Sequence, residues 1–382
     1  SNAYDGSRLV QRGDVVVVTV NHRLNIFAHL YLAEYSDKFA HSGNVGILDL
    51  VQSLEWVRDN IEAFGGDPDN VLIFGESGGG MKVSVLMAMD QADGLFHRAV
   101  VQSGPQLSNR VATEAAAGAR AVVEQLGLDE QTIDQILTLP PEQIEAAAAA
   151  VVEAGGSYTW NGPVFDGSTF TRQPFEGGAP AQTADVPLLI GTTRTEMSLL
   201  AGARNPDLFD LTWESLPPAL KTFLPDADID ALVQGYRALD PKLTAPMLVF
   251  EALTDNGFLR RSIELADQKA LQKAAPVYFY FFNWDTPVDE GKWGATHALN
   301  IGFVFDNVAR SASMSGTGEA QQAIADMMAE SWLAFARNGN PANSTLPDWP
   351  AYTVEGREMM VIDSVPAVVA HPRGAQMDLL GN

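Results

Sequence analysis

The run Phe74-Gly75-Glu76-Ser77-Gly78-Gly79-Gly80 constrains this chain more than any other stretch. Asn70 to Phe74 reads as a short strand, and Gly78 to Met89 reads as a helix. Ser77 therefore sits on a tight strand-to-helix turn, the setting that gives Gly-x-Ser-x-Gly its meaning. Gly75 and Gly79 are expected to leave room for the two elements to cross closely. The turn exposes the serine hydroxyl, and the helix N-terminus behind it favours developing negative charge. The Gly78 backbone N–H can donate to the oxyanion of a tetrahedral intermediate. A phosphate-cradling loop is the rival reading, but the Lys-Ser/Thr ending of such loops is absent.

Around the turn, strands alternate with helices, which predicts an α/β fold with a mostly parallel sheet. Asp14 to Val20 (DVVVVTV) is β-branched and apolar, as expected of a strand covered on both faces. Ile47 to Phe64 carries apolar residues at helical spacing and stops at Gly65-Gly66-Asp67-Pro68. Arg98 to Gln102, Asp185 to Gly191, the aromatic run Pro276 to Trp284 and Glu358 to Ile362 read as further strands. Thr113 to Ala154 and Leu208 to Lys273 are mostly helical by propensity. Glu319 to Arg337 is an amphipathic helix closed by Asn338-Gly339. There is no internal repeat and no clear linker, so residues 4–382 are expected to form a single domain with helical excursions. Ser1-Asn2-Ala3 reads as the scar of a cleaved tag, and Tyr4 is not a start methionine, so the native gene is expected to extend upstream.

A serine needs a base to take its proton. Six histidines are available, and the order Ser, acid, His expected on this scaffold puts the base late. His297, in a loop after the aromatic strand, is preferred over His371. The orienting carboxylate should lie just past a strand's C-terminal end. Glu196 follows Leu188-Leu189-Ile190-Gly191 and is preferred. Asp166 is the rival, although it also reads as a turn residue before Gly167.

Composition excludes several alternatives. The 382 residues hold 24 Lys+Arg against 48 Asp+Glu, a net charge of −24. Such a surface repels phosphate backbones, so nucleic-acid binding is not expected. The absence of cysteine removes disulfides, thiolate metal sites and a cysteine nucleophile. No apolar run reaches the roughly 18 residues of a membrane span. The charge and the Ala-rich helices suit a soluble bacterial protein, either cytoplasmic or secreted/periplasmic. Oligomeric state stays open, homo-oligomer included.

Longer motifs extend the picture. Gly13 to Leu24 (GDVVVVTVNHRL), Gly43 to Asp49 (GNVGILD), Ala63 to Pro68 (AFGGDP), Phe96-His97-Arg98-Ala99, Gln102-Ser103-Gly104, Leu188-Leu189-Ile190-Gly191, His297 with Phe303-Val304-Phe305 and Trp332 to Ala336 (WLAFA) accompany the serine turn. In these the chain resembles the type-B carboxylesterase family, which includes bacterial esterases of the p-nitrobenzyl esterase kind and the cholinesterases. The resemblance runs over almost the entire chain and implies an α/β-hydrolase fold. It implies a triad of Ser77, Glu196 and His297, with no metal and no cofactor. It also implies that Glu76 is a buried carboxylate beside the nucleophile and that Ser103 supports Glu196. Glu76 also reads as a helix-start anion, and Ser103 as a turn residue.

The chain departs from the family pattern at Gly78, commonly Ala, at Thr195-Glu196-Met197, and at Ala298-Leu299-Asn300 near the base. The family's His-Gly-Gly-Gly-like loop, which supplies further oxyanion donors, has no counterpart here. The first strands and that oxyanion-loop segment are thus expected to be missing. The implied function is a serine carboxylic-ester hydrolase acting through an acyl-enzyme on small to medium apolar esters, impaired by the lost loop. Two alternatives stand: a non-catalytic cholinesterase-like interaction protein, and a hydrolase of thioesters or activated amides.

Overall fold

The computed structural model describes residues 2–381. Eight strands form in chain order: β1 (Leu72–Glu76), β2 (Arg98–Gln102), β3 (Arg110–Val111), β4 (Val164–Phe165), β5 (Leu188–Thr193), β6 (Val277–Phe282), β7 (Glu358–Ile362) and β8 (Ala367–Ala370). Six of them make one sheet in the order β1-β2-β5-β6-β7-β8, and β3 pairs with β4 apart from it. All pairs in the large sheet are parallel except β7 with β8.

Both faces of the sheet are covered, and the strand sequences show why. Ala99, Val101, Ile190, Phe279 and Phe281 point to one core. Val100, Leu189, Tyr278, Tyr280 and Phe282 point to the other. Every second residue changes face, so a strand buried on both sides must be apolar throughout. The aromatic run of β6 meets that demand, with all six residues buried. Trp160, Phe281, Trp284 and Phe303 are buried in the cores, and Trp284 meets Phe303 edge to face. Trp213 instead lies under the Arg237 guanidinium.

The helices follow the predicted periodicity closely. Val45–Asn60 runs on into a 3₁₀ turn at Ile61–Phe64, where Gly65 at φ 82° ends it. Glu319–Asn338 ends on Gly339 at φ 74°, a left-handed cap. The long helical stretches break into Ala112–Gln125 and Pro141–Glu153, and later into Leu216–Phe223, Ile229–Leu239, Ala245–Thr254 and Arg260–Leu271.

One expected strand does not form. Asp14 to Val20 has no regular hydrogen-bonded structure, and Val16, Val18 and Val20 are exposed. Val15 and Val17 still pack on a core, so the alternation of an extended chain persists without a ladder. The reason is the lack of a partner. A cavity of about 920 Å³, lined by Val15 to His22 on one side and Leu72 to Glu76 on the other, separates this segment from β1. β1 is consequently the open edge of the sheet.

Candidate active site

The parallel register gathers the chemistry at one end of the sheet. Glu76 pairs with Gln102 and Gln102 with Gly191, while Thr193 pairs with Phe282. The residues that follow these strands therefore converge at their C-terminal ends, the customary place for a site in an open α/β sheet.

Ser77 leaves β1 with φ 56° and ψ −118° and caps the helix Gly78–Leu86. A non-glycine residue with such a backbone is strained, and strain of this kind clusters at functional turns. The glycines are not equivalent. A Cβ on Gly75 would lie 2.5 Å from the Gly79 carbonyl carbon, so strand and helix cross in contact there. A Cβ on Gly80 would lie 2.7 Å from Gln102 O, and one on Gly104 2.5 Å from Ser77 O. Gly79, expected to be needed for the same crossing, has open space where its Cβ would stand, and Gly78 would meet only Lys82 Nζ at 3.5 Å.

Glu196 and His297 are brought side by side by backbone pairing just beyond β5. Thr195 bridges Thr296 in parallel, and the Thr195 N–H donates to Ala295 O at 3.0 Å. Glu196 is buried completely; its Oε1 accepts the Thr193 N–H at 2.8 Å and its Oε2 lies 2.5 Å from His297 Nδ1. That contact directs the other ring nitrogen, Nε2, to the opposite side, where Glu76 Oε1 stands at 3.3 Å. No hydrogen bond joins Ser77 Oγ to His297 among the described residues; such bonds are often loose until substrate is bound.

Two carboxylates flank one imidazole, and the electrostatics follow. Burial opposes the charged imidazolium, but Glu196 and then Glu76 outweigh it and raise the His297 pKa above its ordinary value. Burial pushes the Glu76 carboxyl up to about 7; His297 and the Ala298 N–H pull it down, while Glu196 adds to the rise. Glu76 is therefore a buried carboxylate in contact with the imidazole and not only an anion at a helix start. Ala298 itself holds φ 65°, a left-handed backbone.

The support of Glu196 that the resemblance implies for Ser103 has no hydrogen bond behind it in this structure. It is fully buried beyond β2 at φ 51°, and its Oγ has no hydrogen-bond partner, while the Thr193 N–H takes the second Glu196 oxygen. The rival residues settle elsewhere. Asp166 accepts from the N–H groups of Ser168, Thr169 and Phe170 and from Asn44, which makes it a turn residue. His371 packs beside Gly374, with its backbone N–H on Arg357 O. His22, His29 and His97 contact backbone groups, and His41 contacts Thr169.

Sequence reasoning missed Phe258. Its ring centroid lies 5.6 Å from that of His297. It is carried by Asp255–Leu259, a π-helical stretch between two α-helices that no residue pattern announced.

The carboxylesterase family model matches residues 1–380. The chain is 36% identical to para-nitrobenzyl esterase of Bacillus subtilis, over 94% of this chain and 72% of that one. It is 28% identical to phenmedipham hydrolase of Pseudarthrobacter oxydans, over 96% of this chain and 73% of that one. A solved carboxylesterase of Geobacillus stearothermophilus superposes with a TM-score of 0.84 at 34% identity, over 100% of this chain and 78% of its own. These bacterial relatives agree with the bacterial character expected, and the α/β-hydrolase fold is theirs as well. The expected loss of first strands and of an oxyanion-loop segment is not borne out by these matches. No helix among the described residues is long and apolar enough to cross a membrane. A family match over residues 1–380 and a 36% identical relative along nearly the whole chain make this protein a member of the carboxylesterase family, hydrolases of carboxylic esters.

Proposed function

We propose that Ser77, His297 and Glu196 are the nucleophile, base and acid of ester hydrolysis, acting on small to medium apolar esters. The observation that carries this reading is the buried Glu196–His297 pair at 2.5 Å, at the same end of the sheet as the strained Ser77 turn. Ser77 Oγ attacks the ester carbonyl carbon as His297 Nε2 takes its proton. The Gly78 N–H at the start of the helix donates to the oxyanion. Glu196 fixes the imidazole tautomer and stabilises the imidazolium. His297 then gives its proton to the leaving alcohol, and a water activated by the same ring releases the acid and frees Ser77. Glu76, whose Oε1 lies 3.3 Å from Nε2, raises the basicity of the ring.

The test is hydrolysis of p-nitrophenyl butyrate by the protein and by Ser77→Ala. Turnover should fall on the order of 10⁴-fold or more, with the thermal melt unchanged. Retained turnover would put the nucleophile elsewhere. The same assay on the parent protein measures how far Gly78 and its helix suffice for the oxyanion. A rate within the common enzymatic range of about 1–10³ s⁻¹ would remove the expected impairment.

A further inference from the structure

We infer that Lys82 is a positioning residue of the oxyanion site: its ammonium group ties down Gly78, whose N–H meets the oxyanion, and adds a positive charge beside it. The inference rests on Ser77 as the nucleophile of the reaction proposed above. Lys82 lies one helical turn beyond Gly78 on the helix Gly78–Leu86, and its side chain reaches back over the first turn. Lys82 Nζ donates to Gly78 O at 3.1 Å, and it stands 3.5 Å from where a Cβ on Gly78 would be. The nitrogen therefore lies beside Gly78 on the side where a side chain of that residue would emerge.

The surroundings do not favour a cation. Lys82 is half-buried and lines the large cavity together with Gly75, Glu76 and Gly79 of the serine turn. The chain carries 48 acidic side chains against 24 basic ones, yet among the described residues no carboxylate pairs with Lys82. The titratable groups around it are Glu76 on β1, Asp49 on the helix Val45–Asn60, and His22 and His29 on the segment before that helix. Glu76 is engaged with His297, and Asp49 with Arg23. Arg98 of β2 sits at the far end of that strand, bonded to Arg337 O. Burial lowers the pKa of both histidines, and Lys82 lowers them further. Burial lowers Lys82 as well. A helix N-terminus is itself positive, so a cation there opposes the helix dipole. Neither burial nor the dipole stabilises this ammonium; a negative charge formed at the helix start would.

The reaction forms that charge. When Ser77 attacks, the carbonyl oxygen becomes an oxyanion at about 2.7–3.1 Å from the Gly78 N–H. The ester itself is neutral there. An ammonium beside Gly78 thus attracts the transition state more than the substrate, which raises kcat and leaves KM nearly unchanged. Its hydrogen bond to Gly78 O also restrains the first peptide of three successive glycines, the most permissive backbone a helix start can have.

The experiment follows phenyl butyrate hydrolysis by the full chain, Lys82→Met and Lys82→Arg, from neutral pH to the ordinary lysine value of about 10.4. In Lys82→Met kcat should fall on the order of tenfold, less than for a donor in direct contact, with KM within about twofold. Lys82→Arg keeps the charge and should recover most of that loss. The parent profile should decline on its alkaline side as Lys82 gives up its proton below the ordinary value. That decline should vanish in Lys82→Met, and in Lys82→Arg it should move beyond the measured range. A thermal melt separates this role from a structural one. Removing a cation that burial and the dipole both oppose should leave Lys82→Met as stable as the parent or more so. Undiminished kcat in Lys82→Met, an equal loss in Lys82→Arg, an unchanged alkaline decline in Lys82→Met, or a loss accompanied by a lower melting temperature would each overturn the inference. If Ser77→Ala retained turnover, the nucleophile itself would lie elsewhere, a result distinct from any of these.

Discussion

Glu76 stands where it can change the charge of the imidazole beside it, and that gives the site a pH dependence. His297 acts as a base only when neutral, and its pKa is raised because Glu196 and Glu76 together outweigh burial. The acid limb of kcat/KM against pH should therefore lie above the ordinary histidine value of about 6.5. Glu76→Gln keeps the shape of the side chain and removes one of the two anions. The His297 pKa then falls, and the acid limb should move to lower pH by about one unit. A limb that stays in place would mean that Glu76 carries its proton throughout the working range. Stability follows the same signs. Glu76 has its folded pKa raised from 4.5 to about 7, so the folded protein binds that proton more tightly. Its contribution is full below about pH 4.5 and is lost as the pH rises towards 7. The raised His297 pKa adds a loss in the same direction, from about 6.5 upward. The residue types of this cluster were legible in the order of Ser77, Glu196 and His297 along the chain. The contact between Glu76 and His297 was not, because it joins the end of β1 to a loop beyond β6 and depends on the register of the strands between.

At the scale of elements, the serine turn is a crossing of β1 with the helix Gly78–Leu86, and its glycines carry unequal weight. Gly75→Ala would drive a Cβ to 2.5 Å from the Gly79 backbone, so strand and helix must separate. Overpacking of this kind typically costs 1–3 kcal/mol, and here it displaces Ser77 as well. Gly78→Ala meets only the end of the Lys82 side chain at 3.5 Å. It also exchanges a flexible residue for a better helix former, a gain of roughly 0.5–1 kcal/mol. Thermal melts and p-nitrophenyl butyrate turnover should place Gly75→Ala well below the parent in both, and Gly78→Ala level with it or more stable. Equal damage from the two would show that the turn needs Gly78 for its backbone and not only for its space. The strands β1, β2, β5, β6 and β7 could be read from apolar runs because burial on both faces leaves that mark. Asp14 to Val20 carries the same mark and forms no strand, since pairing is a tertiary event and this segment faces a cavity instead of a neighbour. β8 was missed for the opposite reason: Ala367–Ala370 is short and largely exposed, and only its antiparallel contact with β7 makes it a strand.

For the molecule as a whole, the net charge of −24 sets the response to salt. Like charges spread over one surface repel, and the compact state bears more of that repulsion than the unfolded chain. Added salt screens it, with a Debye length near 10 Å at 0.1 M and about 3 Å at 1 M. Salt also weakens the ion pairs of the surface, such as Lys38 with Asp134 and Arg58 with Asp59. Exposed pairs of this kind contribute little to stability, because solvent and salt screen them. The buried cluster of Arg373, Glu251 and Asp255 is sheltered from bulk ions and should hardly respond. The excess of 48 acidic over 24 basic side chains leaves at least half of the carboxylates without a cationic partner of their own. Repulsion among them should outweigh the few exposed pairs, so the melting temperature should rise by several degrees between 0.02 and 0.5 M sodium chloride at pH 7.5. Acid opposes this gain at a definite point. Hydrogen bonds hold Asp5 at about 2 and, with Arg23, hold Asp49 below its ordinary value. Groups lowered in this way stabilise the fold above the unfolded pKa near 4 and lose that contribution as the pH falls through their folded values. Lowering the pH from 7.5 towards 5 should thus stabilise the protein at low salt by removing repulsion, and lowering it past 4 should destabilise it. A melting temperature that fell on adding salt at pH 7.5 would mean that the surface pairs, not the excess charge, govern its electrostatic stability.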